Sequence, residues 1–492
     1  MVLQREMPVP VWGTADPEEA VTVSFQGQTL STKADAAGKW RVTLAPLKVG
    51  GPEVMKIGPH TLEDVLVGEV WVGSGQSNMD MPAHSYTAGD PALAKLVEQS
   101  YPKLRLLRKG QNDRWEVSDP STNPNYSALL LSFGQALQAK LNVPVGIMVG
   151  AVGGTPSGFW LTRAMVDADP ACLEEIKRES ATYDFEGLTK KYQEAKAKWD
   201  VEVEAWKKVA EEAKKAGQKP PNQPRAPQTV GKAGETNSGT MGGLYESFIR
   251  PYVGFAIRGV LWDQGESRTN VACLGQYNLM GALIKGWRKE WGQDFPFLYV
   301  QKPSGGGTAY DTSDPVFAQA GKFIPQPPAI PVYPPNPEYT HELFLRIKEH
   351  PNTYMVTSSD LGPGIHPVLK SSYGQRSAHV ALGAVYGAKL EIYGPLYSKH
   401  KIEGGKVRIE YSHTGKGLEV RHADKLQGFL IAGEDQKFHW ADAVVEGQSV
   451  VVSSPEVPKP VAVRYAWSPT FPWANLFNKD GLPAQPFRTD HW

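Results

Sequence analysis

Gly75-Gln76-Ser77-Asn78-Met79 puts a serine on a glycine-permitted turn directly behind the apolar run Val65-Leu66-Val67-Gly68-Glu69-Val70-Trp71-Val72. A hydroxyl presented at a strand end, beside unbonded backbone N–H groups, can attack a carbonyl and have the resulting oxyanion stabilised in place. The pattern is not the Gly-x-Ser-x-Gly elbow, because Met79 fills the last position, and a serine there would serve equally as a helix cap. A serine nucleophile needs a base, and the chain offers 11 histidines. His366 stands out, since Ser358-Ser359-Asp360-Leu361-Gly362-Pro363-Gly364-Ile365-His366-Pro367 follows an apolar strand and carries a carboxylate, Asp360. His84, seven residues beyond Ser77, is the nearest rival. A third block, Trp262-Asp263-Gln264-Gly265-Glu266-Ser267-Arg268, also ends a buried strand. There Gln264 could donate to an oxyanion and Glu266 could orient a base or a substrate hydroxyl, or both could merely cap the strand. In a fourth block, Gly150-Ala151-Val152-Gly153-Gly154-Thr155, glycines would let backbone N–H groups approach a ligand closely. No histidine pair has metal-ligand spacing and His-Glu-x-x-His is missing, so no metal site is expected.

These turns need a scaffold that brings strand ends together. Apolar strands at 65–72, 145–149, 256–262, 297–300 and 353–357 alternate with helical stretches near 127–140, 274–291 and 373–389. That alternation predicts an α/β fold with a parallel sheet covered on both faces, whose ligands gather at the carboxyl ends of the strands. Short alternating strands with Gly, Asp and Pro turns before residue 65, and again after 394, predict small β domains at 1–65 and 395–492 around a central domain at 66–394. Two insertions interrupt the centre. One is a long helix with an apolar stripe (Leu188, Tyr192, Ala195, Trp199, Val203, Trp206, Ala210, Ala213), expected to pack on its own body or a subunit partner within an insertion at about 183–230. The other is the proline-rich stretch 325–337, a lid or a surface loop.

The chain has 492 residues, with Lys plus Arg and Asp plus Glu both 52. A formal net charge of zero offers no electrostatic footprint for nucleic acid or an anionic membrane. No apolar run reaches the roughly 18 residues that span a bilayer. The two cysteines, Cys172 and Cys273, are too few for a disulfide framework or a zinc cluster and leave one bridge open.

Taken together, the four blocks resemble the sialate O-acetylesterase-type carbohydrate esterases of the SGNH hydrolase superfamily. The resemblance runs over nearly the whole chain, from Met1-Val2-Leu3-Gln4-Arg5 and Val11-Trp12-Gly13 through Gly68-Glu69-Val70-Trp71, Pro144-Val145-Gly146-Ile147 and Ile257-Arg258-Gly259-Val260-Leu261-Trp262 to Ile365-His366-Pro367. It implies an SGNH-hydrolase (flavodoxin-like) parallel sheet flanked by β-sandwich or jelly-roll-like segments. By position, Ser77 becomes the nucleophile and His366 the base. The Ser77 N–H, Gly153 or Gly154, and Gln264 form the oxyanion hole; Gln76, Asn78, Glu266 and Arg268 touch substrate. The acid is Asp360, with Glu266 the alternative, because Pro363 stands where the superfamily has an aspartate three residues before the histidine. A histidine oriented by a backbone carbonyl in a dyad is the third possibility. Arg268 stands in place of the family's usual asparagine. The implied reaction removes O-acetyl groups from a sugar or glycan without a cofactor. Sialic acid is the first substrate, and acetylated xylan or other glycans the second. Family members usually carry an export signal before this β segment, which implies a periplasmic or extracellular location. A non-catalytic glycan-binding protein and an SGNH enzyme acting on lipid or thioester substrates are the competing readings.

Overall fold

The computed structural model describes residues 1–108, 113–302, 323–331, 341–361 and 364–492. Pro363 and positions 332–337 of the proline-rich stretch lie outside them. The described chain divides into two units. The first comprises Met1–Thr155, Pro251–Glu266 and Arg288–Trp492; the second comprises Pro156–Arg250 and Ser267–Trp287.

The first unit opens with six short strands: β1 (Val2–Gln4), β2 (Val9–Thr14), β3 (Ala20–Phe25), β4 (Gln28–Lys33), β5 (Lys39–Leu44) and β6 (Gly50–Ile57). In β3 and β5 alternate residues are buried, so one face of each meets a small core of Val21, Val23, Phe25, Trp40, Val42 and Leu44. Strand β7 (His60–Gly75) is 16 residues long, and the expected boundary at residue 65 falls inside it. Its first part pairs with β6, and Leu66–Gly68 pair with β1. From Val65 onward every residue of β7 is buried.

The central sheet continues with β8 (Tyr101–Arg108), β9 (Trp115–Ser118), β10 (Val145–Ala151), β11 (Gly259–Asp263), β12 (Phe297–Val300) and β13 (Thr353–Val356). Its order is β13-β12-β11-β7-β10-β8-β9, and every neighbouring pair except β8–β9 is parallel. β10 and β11 are buried at every position, as strands covered on both faces must be. Burying each Val, Leu or Ile side chain there contributes about 1.5–3 kcal/mol. After β7 the chain builds β8 and β10 on one side of it, then crosses to β11 on the other. β7 therefore borders the switch point where open α/β sheets form their ligand crevice. The register brings Gly75 level with both Ala151 and Asp263, so three strand ends finish together.

Two helices of this unit, Ala128–Leu141 and Lys370–Ala384, run close together. A Cβ on Gly374 would come within 2.6 Å of Leu129 O and Phe133 N, so only glycine permits that approach. Ser132 Oγ donates to Ser371 O at 2.9 Å, tying down the start of the second helix just beyond His366. Residues after 395 form two four-stranded antiparallel sheets around a separate core that includes Ile409, Phe429, Ile431, Val452, Tyr465 and Phe487.

In the second unit the helix Phe185–Lys215 starts at an Asp184 cap and carries the expected stripe. Within the stripe Val203 and Ala210 are buried while Leu188 and Ala195 stay exposed, and its two tryptophans bond to the chain that follows. Trp199 Nε1 donates to Pro224 O at 2.9 Å and Trp206 Nε1 to Pro221 O at 2.8 Å. Cys172, buried, and Cys273 are both free thiols.

Candidate active site

Strand β7 ends against β11. Gln76 N–H donates to Asp263 O at 2.9 Å, and a Cβ on Gly75 would lie 2.0 Å from that same oxygen. Gly75 also has φ +137°, a region that side chains avoid. The chain then turns at once into the single helical turn Ser77–Asp80, with Met79 and Asp80 N–H groups on Gln76 O. Ser77 and Asn78 are the first residues of that turn, so their N–H groups have no acceptor within it.

His366 Nε2 lies 2.7 Å from Ser77 Oγ, across 289 positions of sequence. The histidine is exposed and the serine partly so, which leaves the pair open to solvent-borne substrate. The glycine block closes on the same serine: a Cβ on Gly153 would stand 3.5 Å from Ser77 Cβ, and Val152 N–H donates to Gly75 O. Gly154 has φ +73° with open space beyond it. Gln264 Nε2 donates to Thr155 O at 3.2 Å, and Thr155 Oγ1 donates to Val152 O, so this glutamine braces the glycine loop.

Glu266 holds both neighbours of the serine. Its carboxylate accepts from Gln76 Nε2 through one oxygen, and from Asn78 Nδ2 at 3.1 Å through the other. Behind it, Lys302 Nζ lies 2.7 Å from Glu266 and 2.6 Å from Asp263. Burial opposes that ammonium, yet the two carboxylates hold its pKa well above the ordinary lysine value. Gln76 and Asn78 are buried and engaged by Glu266. Asn78 makes two further bonds: Nδ2 donates to Ile365 O at 2.9 Å, and Oδ1 accepts from Lys370 Nζ at 2.5 Å. Lys370 is buried, and burial lowers its pKa to about 7 although Asp263, Glu266 and Asp90 pull the other way.

Asp360 takes a different partner from the one expected of a triad acid. Its Oδ1 accepts from Arg376 Nη1 at 2.5 Å, both residues being buried, and burial raises its pKa against the pull of that guanidinium. Among the described residues no carboxylate hydrogen-bonds His366. His84 is held elsewhere, its exposed ring 2.9 Å from Pro124 O. Arg268 belongs to the second unit, where it is exposed, with φ +57° and a carbonyl that accepts from Ser157 N–H. Among the described residues no group of three or more His, Cys, Asp or Glu side chains is placed to hold a metal ion.

No protein-family model matches the chain. It is 28% identical over 547 residues to the sialate O-acetylesterase of Homo sapiens, covering 99% of this chain and 90% of that protein. The Mus musculus sialate O-acetylesterase is 27% identical, covering 99% and 92%. A solved carbohydrate acetylesterase from Xanthomonas citri superposes with a TM-score of 0.74 at 28% identity, over 100% of this chain and 97% of that one.

The chain is a carbohydrate esterase of the sialate O-acetylesterase type. In this esterase the strand-end turns gather Ser77, His366, Glu266, Gly153 and Gln264 in the first unit. Lys302, Lys370 and the carboxylate of Asp263 join the site without a motif of their own in the sequence. Lys302 follows β12 at the same sheet edge as the other turns, and that position was its one available signal. Lys370 stands four residues beyond His366, where a lysine reads as surface charge.

Proposed function

We propose that this esterase removes O-acetyl groups from acetylated carbohydrates by double displacement at Ser77, with O-acetylated sialic acids its first substrates and acetylated xylan or other glycans the second. The observation that carries this reading is the 2.7 Å contact between Ser77 Oγ and His366 Nε2. Ser77 Oγ attacks the acetyl carbonyl while His366 Nε2 takes its proton. The oxyanion that forms is met by the Ser77 N–H and by a backbone N–H of Gly153 or Gly154. Collapse expels the sugar oxygen, which recovers a proton from His366 and leaves Ser77 acetylated. Water, deprotonated by His366, then attacks the acetyl-enzyme, and acetate departs with Ser77 restored.

Among the described residues Glu266 touches the two flanks of Ser77 rather than His366, so it acts by holding the nucleophile turn. Gln264 supports the oxyanion loop through Thr155. His366 then works as a dyad with Ser77, its loop fastened at the Ile365 carbonyl. The SGNH type of sheet, flanking β modules at 1–65 and 395–492, and a periplasmic or extracellular location complete the proposal. Among the described residues no helix is long and apolar enough to cross a membrane.

The test is acetate release from a panel of O-acetylated sialic acids and acetylated plant polysaccharides by wild type and Ser77→Ala. Release by wild type and its loss in the variant is expected. Activity retained in Ser77→Ala would overturn the mechanism, and release from xylan alone would reassign the substrate.

A further inference from the structure

Lys370 opens the helix Lys370–Ala384, the end of a helix where the macrodipole disfavours a cation. It is fully buried as well. A lysine in so unfavourable a place needs a specific partner, and its ammonium has one. Nζ sits 4.9 Å from the Tyr86 ring centre and 4.8 Å from that of Tyr373, and it donates to Asn78 Oδ1.

Lys370 Nζ donates to Asn78 Oδ1, so the lysine meets the Asn78 amide through its oxygen. The amide nitrogen must then face the other way, where Ile365 O and Glu266 Oε1 both only accept. Three partners thus agree on one orientation of a fully buried side chain whose neighbour in sequence is Ser77 and whose acceptor, Ile365, is the neighbour of His366. We propose that Lys370 is a positioning residue for the esterase reaction: by fixing the Asn78 amide it fastens the Ile365 carbonyl and seats His366 on Ser77. This rests on the reading of Ser77 and His366 given above. Without the ammonium, Asn78 Oδ1 is left buried without its donor, and the amide relaxes toward another one. The Ile365 carbonyl then loosens, and with it the hydrogen bond that activates the serine.

The experiment compares wild type, Ser77→Ala, Lys370→Met, Asn78→Ala and the Lys370→Met/Asn78→Ala pair on a chromogenic acetate ester, with fluorophosphonate labelling as a direct measure of serine activation. Lys370→Met should lose about 10- to 100-fold in kcat, as small misplacements of reacting groups do. Its KM should stay within about twofold, and labelling should slow in parallel. The double variant should be no slower than Asn78→Ala alone, because the lysine acts through the asparagine. Additive losses would mean a general structural role and overturn the proposal, as would full activity in Lys370→Met. Should Lys370→Met fail to fold, undiminished labelling of Asn78→Ala overturns it just as firmly. Activity persisting in Ser77→Ala brings down the mechanism and this inference together, whereas an inactive Ser77→Ala beside a fully active Lys370→Met removes only the inference.

Discussion

Asp263 and Glu266, three residues apart at the end of β11, close on one and the same ammonium, that of Lys302. The lysine and the Asp263 carboxylate it meets are both buried. This places a charged strut behind the turn that carries Ser77, because Glu266 also grips Gln76 and Asn78.

Removing that ammonium takes away the positive charge that Asp263 and Glu266 share. Lys302→Met should cost about 3–5 kcal/mol, the range for breaking a buried pair by deleting one partner. Urea unfolding measures this directly, and a loss under about 1 kcal/mol would show that the strut is not what holds the turn.

Asp360 and Arg376 should respond in the opposite sense to a triad acid. Asp360→Asn should lower the melting temperature, since it removes the negative charge that the buried Arg376 guanidinium meets at Asp360, while kcat/KM on an acetate ester remains close to wild type. A collapse of kcat in a variant that still folds would restore Asp360 to the catalytic machinery.

Two glycines of the site separate close approach from backbone freedom. At Gly75 an added Cβ meets Asp263 O at 2.0 Å, so Gly75→Ala should push β7 off β11 and cost about 100-fold or more in rate. At Gly154 the space is open and only φ +73° resists, so Gly154→Ala should cost about 1–2 kcal/mol while keeping its N–H and most of the activity. Equal rate losses in the two variants would contradict this division.

Lys370 also leaves a mark on the pH dependence of stability. It faces Asp263, Glu266, Asp90 and Lys302, with the rings of Tyr86 and Tyr373 beside it, and burial holds its pKa to about 7. An unfolded lysine titrates near about 10.4. Between those values the unfolded chain keeps a proton that the folded one has released, so this residue makes stability rise with pH over that window. Below about pH 7 the full cost of burying the charge remains. Relative to wild type, Lys370→Met should therefore be at its most stable at pH 6 and should lose ground by pH 10. A difference that stays constant across that range would show that the ammonium titrates normally.

The sequence made the meeting of Ser77 and His366 legible because both follow apolar strands of a parallel sheet, and such sheets gather their chemistry at one edge. The glycine block was legible for the same reason. Which carboxylate serves whom was not. Asp360 lies within a short chain of His366, but its choice of Arg376 follows from how the helix Lys370–Ala384 settles on the sheet. Lys302 and Lys370 were hidden because an isolated lysine in sequence carries no sign of burial; only packing turns it inward. The stripe of the helix Phe185–Lys215 was readable, but the partners of its tryptophans were not, because proline carbonyls accept bonds from any passing indole without a pattern of their own.

One further consequence belongs to β7. Its 16 residues begin among the small N-terminal strands and end at Gly75, one step before the nucleophile turn. A recombination event that replaced the N-terminal module would have to splice into the middle of that strand and disturb the register that levels Gly75 with Asp263. The N-terminal strands and the nucleophile turn thus share one register, and grafting a foreign N-terminal segment onto this chain should disturb both.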